Sequence, residues 1–226
     1  MRKITGAPEE LYAMIAAEFA AAVDRNPDAA FAFTAVDVPD GALKAIASSD
    51  ADFSRAQAFN ACEYVGEAAK GEHSQAAKLN ALLYEKTPFA AVHVPAEEED
   101  YDAAIREAGG LDLVLLGIGE RGHIAFCEPG AEFGSETFTM KLADITRKQA
   151  AKEFGSIDET PTQGVTMGIS TFLAAKRILL IACGEERANA VQKTIEGRPE
   201  TFIPASFLQL HTDVTVFLDP DAAAKL

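Results

Sequence analysis

The chain has 226 residues, which is enough for one domain with a large hydrophobic core. Its formal net charge of −15 disfavours binding to nucleic acid and to anionic membrane surfaces. The three cysteines are widely spaced, and no apolar stretch has the length of a membrane span or the position of a signal-peptide core. We therefore expect a cytoplasmic protein with reduced cysteines rather than a secreted disulfide scaffold.

Helix and strand patterns alternate along the chain. Pro8-Glu9-Glu10 is typical of a helix start, and apolar residues at every fourth position predict a helix up to about Asp24. The other predicted helices cover residues 41–48, 74–85, 97–108, 146–154, 185–196 and 207–210. The predicted strands cover residues 30–35, 56–60, 89–94, 111–116, 177–183 and 214–218. This alternation predicts one α/β domain over residues 1–226, with a mostly parallel sheet and helices on both faces.

The segment 111–130 is the strongest candidate for a functional site. Leu111–Leu116 is typical of a strand buried on both faces, and the glycines after it allow a tight turn close to a ligand. We expect Gly119 and Gly122 to belong to the binding site. His123 and Glu128 follow, beyond the carboxyl end of the strand, which is where open α/β sheets bind ligands. An imidazole and a carboxylate at this position indicate acid–base chemistry.

The same glycines match the G-x-G-x-x-G fingerprint of dinucleotide-binding folds. That fingerprint requires a helix that begins at the third glycine, because its free backbone N–H groups bind the pyrophosphate. Here Pro129-Gly130 predicts a turn only seven residues after Gly122, so no such helix is expected. We therefore expect neither a nicotinamide or flavin nor any other cofactor.

Four motifs carry a family resemblance. They are Gly-His-Ile-Ala-Phe-Cys-Glu-Pro at 122–129, Phe-Asn-Ala-Cys-Glu-Tyr-Val-Gly at 59–66, Pro-Thr-Gln-Gly-Val-Thr-Met-Gly-Ile at 161–169 and Ala-Ser-Phe-Leu-Gln-Leu-His at 205–211. In the same order along the chain, they resemble motifs of the glucosamine-6-phosphate deaminase/isomerase family. The related 6-phosphogluconolactonases share the Gly-His pair but not the residues that follow it. The resemblance implies a modified Rossmann-type fold and an aldose–ketose isomerisation coupled to loss of ammonia.

The resemblance also assigns catalytic residues, and two of them differ from the family pattern. His123 falls on the ring-opening histidine and Glu128 on one of the acids that orient it. The aspartate that shuttles a proton between carbons 2 and 1 falls on Cys62, and an acid two residues before the histidine falls on Arg121. The resemblance therefore implies that the histidine is kept while the carbon base is lost.

The expected phosphate site is only partly kept. The family binds the sugar phosphate with a Gly-Gly-Thr/Ser-Pro loop, and Asp37 lies in the corresponding segment, where its carboxylate would repel a phosphate. Arg187 falls on a phosphate-binding lysine, and Lys152 falls near a second basic residue of the family.

The sequence allows more than one interpretation of Cys62 and of Arg121. Cys62 is a small buried apolar residue, a base whose pKa is lowered by Arg121, or a zinc ligand together with Cys127 and His123. Of these three interpretations, we expect the first: Cys62 is a buried apolar residue and binds no metal. Arg121 is expected beside His123, where it binds an anionic group of the ligand or pairs with Glu128.

Two classes of function compete. In the first, the protein is an enzyme that acts on an amino-sugar phosphate or a similar sugar, with shifted specificity. In the second, it binds a sugar or sugar acid without turnover, as a sensor or partner subunit. Hydrolysis of a 6-phosphogluconolactone-like substrate is a further alternative. The expected partner is a small sugar or sugar phosphate, with no nucleic acid and no membrane, and the chain is a candidate for homo-oligomer formation.

Overall fold

A computed structural model describes residues 1–226, with the exception of the side chains of residues 68 and 69. The strands are β1 (Arg2–Thr5), β2 (Ala30–Phe33), β3 (Gln57–Asn60), β4 (Cys62–Tyr64), β5 (Ala91–His93), β6 (Leu113–Gly117), β7 (Phe138–Lys141), β8 (Gln163–Thr166), β9 (Ile178–Ala182) and β10 (Val214–Leu218). The α-helices are α1 (Pro8–Arg25), α2 (Asp40–Ala47), α3 (Gln75–Leu79), α4 (Tyr101–Glu107), α5 (Asp144–Phe154), α6 (Ile169–Leu173) and α7 (Ala188–Glu196). A π-helical turn, Asn80–Tyr84, extends α3, and the 3₁₀ segments are Gly66–Lys70, Glu185–Arg187 and Pro204–Leu210.

Seven strands form a parallel sheet in the order β1-β10-β9-β6-β2-β3-β5. From β2 the chain continues to β3 and β5 on one side of the sheet, and then crosses to β6, β9 and β10 on the other side. The direction of winding therefore reverses between β2 and β6, and the loops that leave their carboxyl ends diverge there. Such a switch point is where open α/β sheets form a ligand crevice.

The core lies in two layers, one on each face of this sheet. Along β2, Phe31 and Phe33 pack on one face with Phe19 of α1, whereas Ala30 and Ala32 belong to the cluster on the other face. Three further inner strands, β6, β9 and β10, are buried over their whole length. Burial on both faces explains why the sequences of these strands are continuously apolar rather than alternating.

The predicted fold class is confirmed: the sheet is mostly parallel and helices cover both of its faces. Every predicted strand and helix is present, although several ends shift by a few residues. The helix predicted over 97–108 begins only at Tyr101, because the Asp100 side chain caps it by accepting a hydrogen bond from the Ala103 N–H. No helix in the described part of the chain has both the length and the apolarity needed to cross a membrane.

A second sheet was not predicted. Strands β4, β8 and β7 form a three-stranded antiparallel sheet, with Cys62 paired to Thr166 and Phe138 paired to the same residue from the other side. Its strands have three or four residues each. This small sheet continues from β3 beyond the carboxyl edge of the main sheet, so it forms part of the wall around the switch point.

Candidate functional site

A histidine and an aspartate meet at the switch point. Asp37 lies in the loop after β2 and His123 in the loop after β6, and these two strands are neighbours in the sheet. The Nε2 atom of His123 lies 2.7 Å from Oδ2 of Asp37. Both side chains are nearly or fully buried, with exposed fractions of 2% for His123 and 10% for Asp37. Topology thus brings together two residues that are 86 positions apart in the sequence.

Two glycines allow the imidazole to lie so close to the backbone. A Cβ atom at Gly119 would lie 1.9 Å from Cε1 of His123, so a larger residue there would displace the ring. Gly122 has φ of +77°, a left-handed conformation that side chains disfavour. Neither glycine borders the cavity in front of His123, so the structure shows them shaping the position of the ring.

Arg187 is the third charged residue of this site, and it contacts Asp37. Its Nη2 donates to Oδ1 of Asp37 at 3.0 Å, while Nε and Nη1 donate to the carbonyl oxygens of Ile118 and Cys183. Nη1 also donates to the Glu186 carboxylate. One carboxylate therefore bridges the imidazole and the guanidinium.

The electrostatics favour a charged pair. Burial by itself would raise the pKa of Asp37, but the hydrogen bond and charge of His123, together with Arg187, lower it to about 2. Burial likewise would lower the pKa of His123, but Asp37 and the charge of Glu128 outweigh burial and raise it. With Asp37 ionised, Nε2 of His123 carries the proton that it donates. His123 then gains or loses its second proton at Nδ1, which is buried and has no partner among the described residues.

A cavity of about 140 Å³ opens in front of this pair. It is bordered by residues 35–37 after β2, Tyr64 of β4, Gln75 and Lys78 of α3, His123 and Phe126 after β6, and residues 146, 149, 150 and 153 of α5. Three of these residues have buried polar atoms without a partner among the described residues: Gln75 Oε1, His123 Nδ1 and Thr146 Oγ1. Buried polar atoms are normally paired, and these three belong to side chains that border the same cavity.

The cavity border also contains an ion pair of Lys78 and Glu153, which the sequence does not predict. The Nζ atom of Lys78 lies 3.2 Å from Oε1 of Glu153 and joins α3 to α5 across the cavity border. The only sign in the sequence was the polar character of the two predicted helices. No motif indicated that they face each other.

Glu128 does not orient His123 by a hydrogen bond, so that expectation was wrong. Its Oε1 accepts from the Ala143 N–H at 3.1 Å, and its Oε2 is buried without a partner among the described residues. Asp37, expected only as a carboxylate that repels phosphate, is the residue that holds the ring. Glu128 acts on His123 through its charge alone.

The thiols of Cys62 and Cys127 are buried and protonated. Cys62 Sγ lies 3.5 Å from the hydroxyl of Thr34, and burial raises the pKa of this thiol far above its usual range. Burial raises the pKa of Cys127 to about 12, and its Sγ donates to the carbonyl of Met167. A thiolate base at Cys62 is therefore not supported, and the buried interpretation fits. Nowhere in the described chain do three His, Cys, Asp or Glu residues converge as metal ligands.

Arg121 and Lys152 lie away from the cavity. Arg121 is exposed and borders a separate surface depression with Lys193 and Phe202, so it neither contacts His123 nor pairs with the buried Glu128. Lys152 is exposed on α5, while its neighbour Glu153 borders the cavity. Neither Arg121 nor Lys152 borders the cavity.

Comparisons with known proteins agree with the four motifs. The sequence profile described as glucosamine-6-phosphate isomerases/6-phosphogluconolactonase matches residues 6–217. A glucosamine-6-phosphate deaminase of Latilactobacillus sakei subsp. sakei (strain 23K) is 41% identical over 189 residues, which cover 80% of each chain. One from Clostridium botulinum (strain Hall) is 36% identical over 232 residues, covering 96% of this chain and 95% of that one.

Solved structures lead to the same family. A monomeric glucosamine-6-phosphate deaminase is similar with a TM-score of 0.92 at 33% identity, over the full length of both chains. The 6-phosphogluconolactonase of Trypanosoma brucei has a TM-score of 0.75 at 18% identity, covering 100% of this chain and 98% of that one, which shows a common fold. Together with the sequence matches, this likeness shows that the chain belongs to the glucosamine-6-phosphate isomerase/6-phosphogluconolactonase family.

Proposed function

We propose that the protein isomerises a 2-amino sugar with release of ammonia, and that the His123–Asp37 pair transfers the proton. Relatives that cover most of the chain are glucosamine-6-phosphate deaminases, which supports the class of reaction. The observation that carries the proposal is the buried ion pair at the cavity, with one imidazole nitrogen left without a partner.

The reaction converts an open-chain 2-amino-2-deoxyaldose and water into a ketose and ammonia. A base removes the proton from carbon 2 and an acid delivers it to carbon 1, while the amino group loses one proton and oxygen 1 gains one. Water then displaces the imine nitrogen as ammonia. Neutral His123 accepts the proton at Nδ1, and the ionised Asp37 at Nε2 stabilises the imidazolium. The same imidazolium then donates at carbon 1. Asp37 raises the pKa of His123, which makes the neutral imidazole a stronger base and stabilises the imidazolium that forms.

A second candidate is binding of a sugar without turnover. The observation that favours it is Cys62, whose buried and protonated thiol lies where the family resemblance places the carbon base. A pocket that keeps the residues for sugar binding but lacks the base at carbon 2 would bind a sugar and leave it unchanged.

The test is an assay of ammonia and ketose production from a panel of sugars. The panel contains glucosamine, galactosamine, their 6-phosphates and a sugar δ-lactone. His123→Asn is compared with the wild type. His211→Asn serves as the matched control, because His211 bonds to the Ala175 carbonyl and does not border the cavity.

We expect ammonia and ketose in equal amounts from at least one amino sugar. The rate should fall by about 10²-fold or more in His123→Asn and stay unchanged in His211→Asn. Binding without ammonia from any amino sugar would favour the second candidate. Hydrolysis of the lactone alone would overturn the proposal in favour of a hydrolase.

A further inference from the structure

We propose that Asp37 makes this site selective for a sugar without a phosphate group, because its carboxylate already occupies the positive partners that a phosphate would need. The inference rests on the proposed function for the reaction, but it concerns the charge of the substrate. It follows from the ion pairs that each cation at the site already makes with a carboxylate.

The guanidinium of Arg187 is almost saturated. Four hydrogen bonds use its N–H groups: two to backbone carbonyls, one to Glu186 and one to Asp37. Arginine has five N–H groups, so only one is left for a ligand. Arg187 also lies behind Asp37 and does not border the cavity. A phosphate would have to displace the Asp37 carboxylate to make the bidentate contact that arginine provides best.

The other cations at the cavity are paired as well. Lys78 pairs with Glu153 at 3.2 Å, and His123 pairs with Asp37 at 2.7 Å. The cavity wall therefore presents as many carboxylates as cations. A phosphate dianion at this wall would be repelled by the carboxylates of Asp37 and Glu153, and it would have to compete with Glu153 for Lys78.

The uncharged polar side chains at the cavity border suit a neutral hydroxyl-bearing ligand. Gln75 Oε1 accepts a hydrogen bond, Thr146 Oγ1 donates or accepts one, and neither carries charge. Sugar hydroxyls donate and accept in the same way. The cavity volume of about 140 Å³ also lies below the roughly 300–1,000 Å³ of most ligand pockets, which favours a small ligand.

The test is calorimetric titration of the full-length protein with glucosamine, glucosamine 6-phosphate and inorganic phosphate. The variants are Asp37→Gly and Asp37→Asn, with Asp40→Asn as a control that removes an exposed charge of the same sign nearby. Glycine and asparagine both tolerate the φ of +56° at position 37, so the loop should keep its shape. Because both Asp37→Gly and Asp37→Asn are measured, a folding defect in one of them leaves the test intact.

We expect the wild type to bind glucosamine at least about tenfold more tightly than glucosamine 6-phosphate, and Asp37→Gly to lose or reverse that preference by about tenfold or more. The gain in phosphate binding should disappear in the double variant Asp37→Gly/Arg187→Ala, since Arg187 is the cation that is released. Asp40→Asn should behave as the wild type.

The inference is overturned if the wild type binds the phosphorylated sugar as tightly as glucosamine, if it binds neither, or if the Asp37 variants keep the wild-type preference. Its failure can be told apart from failure of the proposed function. Ammonia release with preference for glucosamine 6-phosphate overturns the inference alone. Tight binding of glucosamine without ammonia release overturns the proposed function alone.

Discussion

At the scale of single residues, the protonation of His123 depends on Asp37. The 2.7 Å contact and the charge of Asp37 raise the pKa of the imidazole against the effect of burial. Asp37→Asn removes that charge while burial still lowers the pKa, so the pKa of His123 should fall relative to the wild type. An NMR titration of the histidine side chains measures the change. An unchanged pKa of His123 in the variant would show that Asp37 does not hold the ring.

The same pair gives a pH-dependent contribution to stability. Asp37 has a pKa lowered from 3.8 to about 2, so its contribution is complete above pH 3.8 and is lost as the pH falls towards 2. His123 has a raised pKa, so its contribution is complete below pH 6.5 and is lost as the pH rises through the folded-state pKa. Asp37→Asn should therefore lower the free energy of unfolding most between these limits, by about 2 kcal/mol. Urea denaturation at several pH values checks this, and a pH-independent difference would contradict it.

Gly119 provides a second test of the ring position. Gly119→Ala places a Cβ 1.9 Å from Cε1 of His123, so the imidazole must move. We expect at least about a tenfold loss in kcat/KM, because acid–base groups act within hydrogen-bond reach of the proton that they transfer. The matched control is Gly134→Ala, where a Cβ meets nothing within 4 Å. Equal activity of both variants would mean that the ring position is not critical.

The sequence shows part of this residue-scale arrangement. His123 was found because it follows a glycine-rich strand end, and Arg187 because it matches a basic position of the family. The pairing of Asp37 with His123 was missed, since no local pattern links residues 86 positions apart. Arg121 was expected beside His123, but its side chain is exposed and borders a separate depression, which closeness in sequence does not reveal.

At the scale of elements, Glu63 connects the small sheet to α3. Its buried carboxylate accepts hydrogen bonds from the N–H groups of Tyr64, Gln75 and Ala76 at 2.6, 3.0 and 2.7 Å. It thereby fixes the start of the helix that carries Gln75 and Lys78 to the cavity. Burial raises the pKa of this carboxyl, while the three N–H groups oppose that rise.

Glu63→Gln should destabilise the protein. The amide presents an NH₂ group to backbone donors that need an acceptor, and we expect a loss of about 2 kcal/mol in the free energy of unfolding. Glu67→Gln is the control, since the side chain of Glu67 is 92% exposed, and its effect should stay within about 0.5 kcal/mol. Urea denaturation of both variants measures the difference. A loss of equal size in both would contradict the role of Glu63.

The sequence predicted the long elements better than the short ones. The helix from Pro8 and the strand Val214–Leu218 have clear periodicity or continuous apolar character, and both are present with nearly the predicted bounds. Strands β4, β7 and β8 have three or four residues and depend on pairing with each other. Their local sequences carry no alternation long enough to be recognised, so the sheet that completes the cavity wall was missed.

At the scale of the whole molecule, the net charge of −15 acts on charged ligands. At low ionic strength the field attracts the protonated amine of glucosamine and repels phosphates. Raising the salt from about 0.01 M to about 0.15 M shortens the Debye length from about 30 Å to about 8 Å. We expect glucosamine to bind several-fold more weakly at the higher salt, and an uncharged ketose to bind equally at both. Calorimetric titration at slightly acidic pH measures this, and stronger glucosamine binding at high salt would contradict it.

The most direct test of the central claim is the fate of the hydrogen on carbon 2 of the sugar. The measurement uses glucosamine deuterated at carbon 2 and follows the label by NMR with wild type and His123→Asn. We expect the wild type to remove the deuterium, which then appears at carbon 1 of the ketose or in the solvent, and His123→Asn to leave it in place. Deuterium that stays on carbon 2 with the saturated wild type, or that leaves equally fast with His123→Asn, would contradict proton transfer by the His123–Asp37 pair.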